Sequence, residues 1–326
     1  MEDFRILRTY ELTDNDWYMI NDGFKKSFDR EITVDRLKAF YKSSTLGYSY
    51  HSIGYEGGRI IGFTTIFPMR YLKEETEILL GLSCSSFVLK EYRSDIFILK
   101  DLYDAIRKYC LKEGLIAFHG VPNKNSYQYS IKFLKSKEII KLPYYFLPIR
   151  VSKILKKKNL FFLNPLSILF SYTHTILNLI FSFLFRYKEN FAEYRMKKDD
   201  EFCNNRFSRS NYKFYKSGKI KAWYKLATED GINTVYIMDF AENGEKTNFA
   251  LSRLIWHILI NEKADIILFV GLLRLMQFSL IKLPKRLEPK ELPFTYNLLD
   301  ITNKEEYKSM SSKKSWDFSI LNLDVR

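Results

Sequence analysis

The sequence is short of the residues that interrupt regular structure and of those that bind metals. Its 326 residues include 13 glycines and 8 prolines, too few for a collagen-like or low-complexity chain. The three cysteines, Cys84, Cys110 and Cys203, are odd in number and far apart, and none is spaced with another cysteine or with a histidine as in a metal site. We therefore expect no metal and a reducing compartment.

Acidic residues are also in the minority, and no apolar signal core follows Met1. Lysine and arginine number 52 against 38 acidic residues, which gives a formal net charge of +14. Such a charge attracts nucleic acid, an anionic membrane or a phosphorylated cofactor. No zinc finger, basic zipper or RNP-like motif accompanies it, so nucleic acid is not the expected partner. We expect a cytoplasmic protein, or one peripheral on the inner face of the plasma membrane.

One stretch, Leu160 to Phe185, has no charged residue at all and reaches the roughly 20 residues that a bilayer span needs. Basic residues flank it at Lys156–Lys158 and at Arg186. Five polar residues inside it follow helical spacing and form one stripe. They are Ser167, Ser171, His174, Asn178 and Ser182. We expect a helix or helical hairpin on an anionic membrane surface; a helix buried between modules and a full span are the alternatives.

The whole chain is 46% hydrophobic, and outside this stretch it repeats one order of elements. From Phe4 to Val151, hydrophobic periodicity predicts a strand, two helices, three strands, a helix, a strand, a helix and a strand. After Asp199 come three strands, a helix over Phe249–Ile260, a strand, a helix over Leu272–Leu280 and a strand. The sequence predicts an α/β (α+β) fold of two modules, each a mixed, largely antiparallel central sheet flanked by helices. The predicted divisions are 1–155, a hydrophobic helical insertion at 156–198, and 199–326.

Short motifs in the first module resemble the GNAT superfamily of acyltransferases. Arg59–Phe63, which reads Arg-Ile-Ile-Gly-Phe, resembles the central x-I-V-G-F strand of that family. Phe87–Arg93 resembles the strand end and cofactor loop that commonly read V-x-P-x-Y-R-G-x-G-I-G. Val121–Ser126 resembles the second motif, in which an asparagine opens a helix beside the pantetheine arm. Trp316–Ser319 resembles the closing motif of a duplicated branch found in bacterial polysaccharide loci, distantly similar to Fem-type aminoacyl transferases.

This resemblance implies acetyl-CoA or another acyl-CoA as co-substrate. A helix N-terminus suits its pyrophosphate, because free backbone N–H groups and the helix dipole both favour anions. The implied cofactor residues are Phe87 and Val88 for pantetheine, Arg93, Ser94, Ile96 and Phe97 for pyrophosphate, and Asn123 and Ser126 in the second motif. Both family glycines are missing from Arg93–Phe97, and Asp95 adds a negative charge there.

The reaction of this family is direct attack of an amine on a thioester, which needs a base for the amine and an acid for the thiolate. His119 ends a strand where the two central strands are expected to diverge, so it is the candidate base. Tyr129 lies where the family often supplies the acid. A packed strand-end histidine and a structural tyrosine are the alternatives.

The expected function is an acyl-CoA-dependent N-acyltransferase that transfers an acyl, in the first instance acetyl, group to an amine. The acceptor suggested by the resemblance is an amino sugar of a cell-surface glycan or its lipid-linked precursor. Two alternatives stay open. One is a Fem-type transferase that uses aminoacyl-tRNA, the one reading with nucleic acid as partner. The other is a non-catalytic binding protein on a decayed GNAT scaffold.

Overall fold

The computed structural model describes residues 3–29, 31–190, 192–207, 212–299, 302 and 304–323. In chain order its first elements are β1 (Asp3–Arg8), α1 (Asp14–Phe28), α2 (Val34–Tyr41), β2 (Tyr50–Glu56), β3 (Arg59–Lys73), β4 (Thr76–Val88), α3 (Phe97–Lys112), β5 (Leu115–Gly120), α4 (Lys124–Lys132), β6 (Lys137–Lys141), β7 (Tyr144–Pro148), α5 (Val151–Ile154) and α6 (Asn164–Leu184). They continue with β8 (Tyr194–Met196), α7 (Asp200–Phe207), β9 (Tyr212–Ser217), β10 (Ile220–Glu229), β11 (Ile232–Glu242), α8 (Asn248–Asn261), β12 (Ile266–Val270), β13 (Ile281–Lys282), β14 (Pro293–Leu298) and β15 (Trp316–Asp317).

The strands form two sheets that exchange one strand with each other. The first sheet runs β1-β2-β3-β4-β5-β14-β6, with β8 and β15 attached beside β3. The second runs β13-β7-β12-β11-β10-β9. Strand β14, from the C-terminal half, lies between β5 and β6, whereas β7, from the N-terminal half, lies between β12 and β13. Neither sheet is complete without the other half of the chain.

The predicted fold class is confirmed. Both sheets are mixed and largely antiparallel, with a parallel contact between β4 and β5 in the first and between β11 and β12 in the second. Helices α1 and α3 pack on the first sheet, and α6 and α8 pack on each other beside the second. The division at 1–155, 156–198 and 199–326 stays a prediction, and strand pairing crosses it in both directions.

Local signals in the sequence set several helix starts. Helix α1 begins after the predicted cap Thr13, whose side chain accepts from the Asp16 backbone N–H while the Asp16 carboxylate accepts from that of Thr13. Trp17, Ile20 and Phe24 then follow on its buried face. This reciprocal cap satisfies two backbone donors that would otherwise lack partners.

The predicted helix over Leu272–Leu280 is wrong, because this stretch is irregular. Gly271 has a φ of +148°, and a Cβ there would lie 2.5 Å from the Ser319 Cα. The next residue, Leu272, donates its backbone N–H to the carbonyl of Phe318 at 2.7 Å. Contacts with a distant part of the chain thus replace the hydrogen bonds that a helix would need.

A buried cluster of charges fixes the C-terminal segment to the second sheet. The Lys246 ammonium, 8% exposed, contacts Asp317 and lies 3.7 Å from the Glu189 carboxylate. Glu189 also accepts from the backbone N–H of Arg274 at 2.9 Å. Burial alone would raise the pKa of Asp317, but Lys246 and Lys198 hold that pKa at about 2. Asp317 is therefore ionised at neutral pH.

We expect Lys246→Met to lower the free energy of unfolding by about 3–5 kcal/mol, because it removes the cation that contacts buried Asp317 and leaves Glu189 with Arg274 alone. The measurement is the urea midpoint of unfolding. Lys308→Met removes an exposed pair with Glu305 and is the matched control, with an expected cost under about 1 kcal/mol. Equal midpoints for the two variants would contradict this prediction.

The same cluster predicts a loss of stability in acid. Because the pKa of Asp317 is lower in the folded than in the unfolded chain, its stabilising effect is complete above about pH 4 and is lost as the pH falls to about 2. The advantage of the wild type over Asp317→Asn in urea midpoint should therefore shrink across this window. A constant difference between the two proteins would argue against ionised Asp317 as the source.

Candidate active site

The two central strands of the first sheet diverge at their C-terminal ends. Strand β4 pairs with β5 up to Leu82 and His119, and Gly120 still lies close, since a Cβ there would be 3.0 Å from the Ser83 carbonyl oxygen. Strand β5 then ends, whereas β4 continues through a bulge at Ser85, whose φ is +55°. Within the described chain, no strand pairs with Ser83–Val88 on this side. The opening exposes backbone groups that can bind an amide-containing ligand.

The first helix after this opening presents its N-terminus at the surface. A short 3₁₀ turn at Lys90–Tyr92 leads from β4 to α3, and all of Arg93–Phe97 is exposed. The Asp95 carboxylate accepts from the backbone N–H of Phe97 at 2.9 Å. The backbone N–H groups and the dipole of this helix end favour an anion, and the Asp95 carboxylate is an anion that the chain itself places there.

The predicted cofactor residues on β4 and in the loop have structural contacts of their own. The Phe87 ring is buried against Phe24 and Phe63, so only its backbone is left to face a ligand. The Arg93 guanidinium donates from Nε to the Val88 carbonyl at 2.9 Å and so ties the loop to the strand end. Ser94, Ile96 and Phe97 lie in the exposed turn that enters α3. Arg93 thus turns back to the strand end, whereas Ser94, Ile96 and Phe97 lie beyond it in the exposed turn.

Asn123 and Ser126 come together at the start of α4. The Asn123 side-chain oxygen accepts the backbone N–H groups of Asn125 and Ser126, both at 3.0 Å. The Ser126 hydroxyl donates back to Asn123. Asn123 is therefore the N-cap of this helix, as its place in the sequence motif predicted.

Tyr129 connects α4 to the loop before α3. Its hydroxyl donates to the Ile96 carbonyl at 2.8 Å, and its ring stacks on Phe133. Burial raises the pKa of Tyr129 to about 12, so the phenol is protonated at neutral pH. The hydroxyl is in the protonation state of an acid, and it lies against the loop expected to hold the cofactor.

His119 is buried at the point where the strands diverge. It is 2% exposed, and rings of Tyr71, Phe294, Trp316 and Phe318 surround it. Neither ring nitrogen has a hydrogen-bonding partner among the described residues. Burial lowers the pKa of His119 to about 3, so the ring is neutral at pH 7 and a weak base. All four rings come from distant segments that sequence spacing could not connect to His119.

The corresponding opening in the second sheet is filled by the chain itself. Strand β11 pairs with β12 only from Thr234 to Tyr236. Beyond that point Ser319 bridges to Gly271, and its hydroxyl donates to the Met238 carbonyl at 3.4 Å. The segment Phe318–Ser319 thus occupies the gap between the two strands. The motif at Trp316–Ser319 could be recognised from the sequence, but its position in this opening could not be predicted from neighbouring residues.

The second sheet also covers the helix N-terminus that follows its opening. Thr247 caps α8 by accepting from the Ala250 backbone N–H, and its hydroxyl donates to the Glu242 carboxylate at 3.0 Å. Arg186 pairs with the same carboxylate at 3.3 Å. Glu242 is buried and held by these two partners, so unlike the exposed Asp95 it cannot turn away from a phosphate, and the first sheet is the better candidate.

The first opening offers two features that suit an acyl-CoA. The unpaired edge of Ser83–Val88 can bind amide groups. The exposed N-terminus of α3, which follows it in the chain, can bind an anion. Asp95 opposes the phosphates, but its side chain is exposed and free to turn into solvent. The residues therefore fit the cofactor once Asp95 moves. In the described ranges no three His, Cys, Asp or Glu side chains are grouped to hold a metal ion.

Small residues on β4 are further functional candidates, and its serines could not be identified as such from the sequence motifs. Ser83, Cys84, Ser85 and Ser86 line the opening and are partly exposed. The Ser86 hydroxyl lies 2.7 Å from that of Thr64 on β3. A run of four small residues inside an otherwise large apolar strand was the available signal, because small side chains leave space beside a strand.

Comparison with solved structures gives the fold. No protein-family model matches the sequence, and no curated protein matches it either. A probable N-acyltransferase of unknown function from Enterococcus faecalis superposes with a TM-score of 0.58 and 12% identity, over 93% of this chain and 74% of that one. A GCN5-related N-acetyltransferase from Anabaena variabilis gives 0.57 and 9%, over 92% and 74%. Eis1 from Mycobacterium abscessus gives 0.53 and 9%, over 95% and 75%. The chain has the fold of the GCN5-related N-acetyltransferases.

Proposed function

We propose that the protein is an acyl-CoA-dependent N-acyltransferase with its cofactor site in the opening of the first sheet. The observation that carries this proposal is the contrast between the two sheets. The first opening leaves Ser83–Val88 and the start of α3 accessible, whereas Phe318–Ser319 fills the second. The solved structures with this fold include proteins described as N-acetyltransferases, which supports the same reaction class here.

The residues of the opening have distinct tasks in this proposal. The backbone of Phe87 and Val88 pairs with the amides of the pantetheine arm, and the arm lies beside the helix that Asn123 caps. The amides of Ser94, Ile96 and Phe97 face the pyrophosphate at the N-terminus of α3. Bound acyl-CoA supplies the activated thioester. Arg93 holds the loop against β4 through the Val88 carbonyl and is a positioning residue.

Tyr129 is the proposed acid. Its phenol is protonated and its pKa is near 12, so it can give a proton to a departing thiolate without losing one to water at neutral pH. It would have to exchange its bond to Ile96 for one to the sulfur. The contact also places it beside the loop that holds the cofactor.

His119 keeps the role of candidate base in this proposal, with a condition set by its environment. A neutral imidazole can accept a proton, but the low pKa makes transfer from an amine unfavourable while the ring stays dry. The proposal therefore needs the acceptor or water to reach one of the two unpartnered nitrogens when substrate is bound.

We further propose that the acceptor is an amine on an amino sugar, either in a cell-surface glycan or in its lipid-linked precursor. The exposed apolar face of α6, described below, supports the lipid-linked form because it would bring the protein to the surface where such a precursor lies. A tandem origin of the two sheets is part of the same proposal, supported by their shared strand order. A panel of amines and amino sugars with acetyl-CoA tests the acceptor class.

Asp95 should oppose the binding of acetyl-CoA. Because its carboxylate lies at the helix end that should meet the phosphates, Asp95→Asn should tighten acetyl-CoA binding by about three- to tenfold. Calorimetric titration with acetyl-CoA and desulfo-CoA measures this. Asp35→Asn removes an exposed aspartate from the first turn of α2 and is the matched control, with no expected change. No heat with either ligand for any protein would overturn the cofactor site and favour a non-catalytic scaffold.

Tyr129 should act in the chemical step and contribute little to acyl-CoA binding. Tyr129→Phe should lower kcat roughly hundredfold at saturating acyl-CoA, because it removes the proton donor. Its effect on the Kd of acyl-CoA should stay within about tenfold, the equivalent of one hydrogen bond. Tyr127→Phe is the matched control, since that neighbouring hydroxyl donates to Glu138 at 2.6 Å instead. An equal fall in kcat for both variants, or a change in Kd alone, would remove Tyr129 from the acid role.

A further inference from the structure

Helix α6 buries its polar side and exposes its apolar side. Ser171, Asn178 and Ser182 of the predicted polar stripe are buried, and so is Thr175, whereas Ser167 and His174 are partly exposed. Large apolar residues cover the opposite side at helical spacing. They are Leu166, Leu169, Phe170, Ile176, Leu177, Ile180, Phe183 and Leu184, each 43–69% exposed. We name these eight residues the α6 face.

Polar side chains attach the N-terminal half of α6 to its neighbours. The Ser171 hydroxyl donates to the Pro148 carbonyl, and the Ser167 hydroxyl donates to that of Ile149 at 2.8 Å. Tyr172 donates to the Leu259 carbonyl at 2.9 Å, on α8. The helix therefore has one fixed orientation on the protein, and the α6 face is its permanent outer surface.

The α6 face offers no polar group to a partner. Thr173 is the one exposed hydroxyl within it, and it donates to the Leu169 carbonyl one turn earlier. A specific protein interface of ordinary size carries about one hydrogen bond per 100–200 Å². A contiguous apolar surface without polar groups matches a lipid interface better.

The charges beside the helix match an anionic surface. Lys153 and Lys157 precede it, and neither has an acidic partner within the described ranges. At the other end Arg186 pairs with Glu242 and Lys188 with Glu245. The N-terminal end thus carries the excess positive charge.

A second copy of the chain is a poorer occupant of this face. Two parallel α6 helices would bring Lys153 and Lys157 next to their own counterparts. Two antiparallel helices would place them beside Arg186 and Lys188, which are already paired with Glu242 and Glu245, so the lysines would gain no free acidic partner there. Anionic headgroups instead complement the same residues, because each lysine or arginine near the surface is attracted to them.

The strand exchange argues against a membrane span. Among the described residues, one helical stretch, Asn159–Leu184, is long and apolar enough to cross a bilayer. However, β7 precedes α6 in the chain and pairs with β12, which follows it. The chain segments before and after α6 therefore meet in one sheet, which lies on one side of any membrane. A span would also expose the four buried polar side chains to lipid.

We propose that the α6 face docks in the plane of an anionic lipid bilayer, with Lys153 and Lys157 in contact with its headgroups. The apolar side chains enter the boundary between headgroups and acyl chains, as those of interfacial helices do. Attachment is peripheral and reversible. It does not depend on the acyl-transfer reaction, so the two can be tested separately.

The test is sedimentation of the full chain with phosphatidylcholine vesicles, with and without phosphatidylglycerol. Wild-type protein should sediment with the anionic vesicles. The double variant Leu177→Glu with Ile180→Glu should lower the partition coefficient by about tenfold or more. Leu287→Glu changes an equally exposed leucine outside α6 and should bind as wild type. An unchanged melting temperature shows that each variant is folded.

A second pair of measurements separates the rival occupants. Lys153→Gln with Lys157→Gln should reduce binding to anionic vesicles and weaken its salt dependence. Bound wild-type protein should be released from vesicles at alkaline pH, and retention there would overturn in-plane docking in favour of a span. Absence of vesicle binding would also overturn it. A dimer that dissociates in the Leu177→Glu, Ile180→Glu variant without vesicle binding would assign the face to a second copy.

Discussion

The backbone pairing of β7 and β14 is the interaction on which the rest of the structure depends. Each strand lies between two strands of the other half, so its peptide groups are paired on both edges. Withdrawing either strand would leave buried N–H and C=O groups without partners, at a cost of about 1–3 kcal/mol for each one. The two sheets therefore form one cooperative structure, and what attaches to one is fixed relative to the other.

The exchange also explains why two sheets of the same strand order differ at their openings. The C-terminal chain passes through β14 in the first sheet and returns to the second, where Ser319 packs against Gly271. Only glycine fits there, given its φ and the approach of the Ser319 backbone. The Lys246–Asp317 pair then holds this segment in place. No segment within the described ranges fills the first opening in this way, which makes it the one suited to a ligand.

Features that depend on neighbouring residues could be predicted from the sequence. The Thr13 and Asn123 caps, the order of strands and the polar stripe of α6 follow from local spacing. The strand exchange could not be predicted, because β7 and β14 have the same pattern whichever sheet they join. The rings around His119 and the bond from Tyr129 to Ile96 join residues distant in sequence, so the environment of each site residue required the structure.

Exposure of the α6 face to water is unfavourable, and folding of the protein alone does not remove it. Large apolar side chains that stay in solvent add no hydrophobic stabilisation to the folded protein. The polar side of the helix instead forms hydrogen bonds to β7 and α8. Those bonds anchor α6 to Pro148 at the end of an exchanged strand. A bilayer that covers this face would thus hold the second sheet directly, and the first sheet through the exchange, in one orientation. Under the proposed docking, an acceptor carried on a lipid would therefore meet the protein in one fixed orientation.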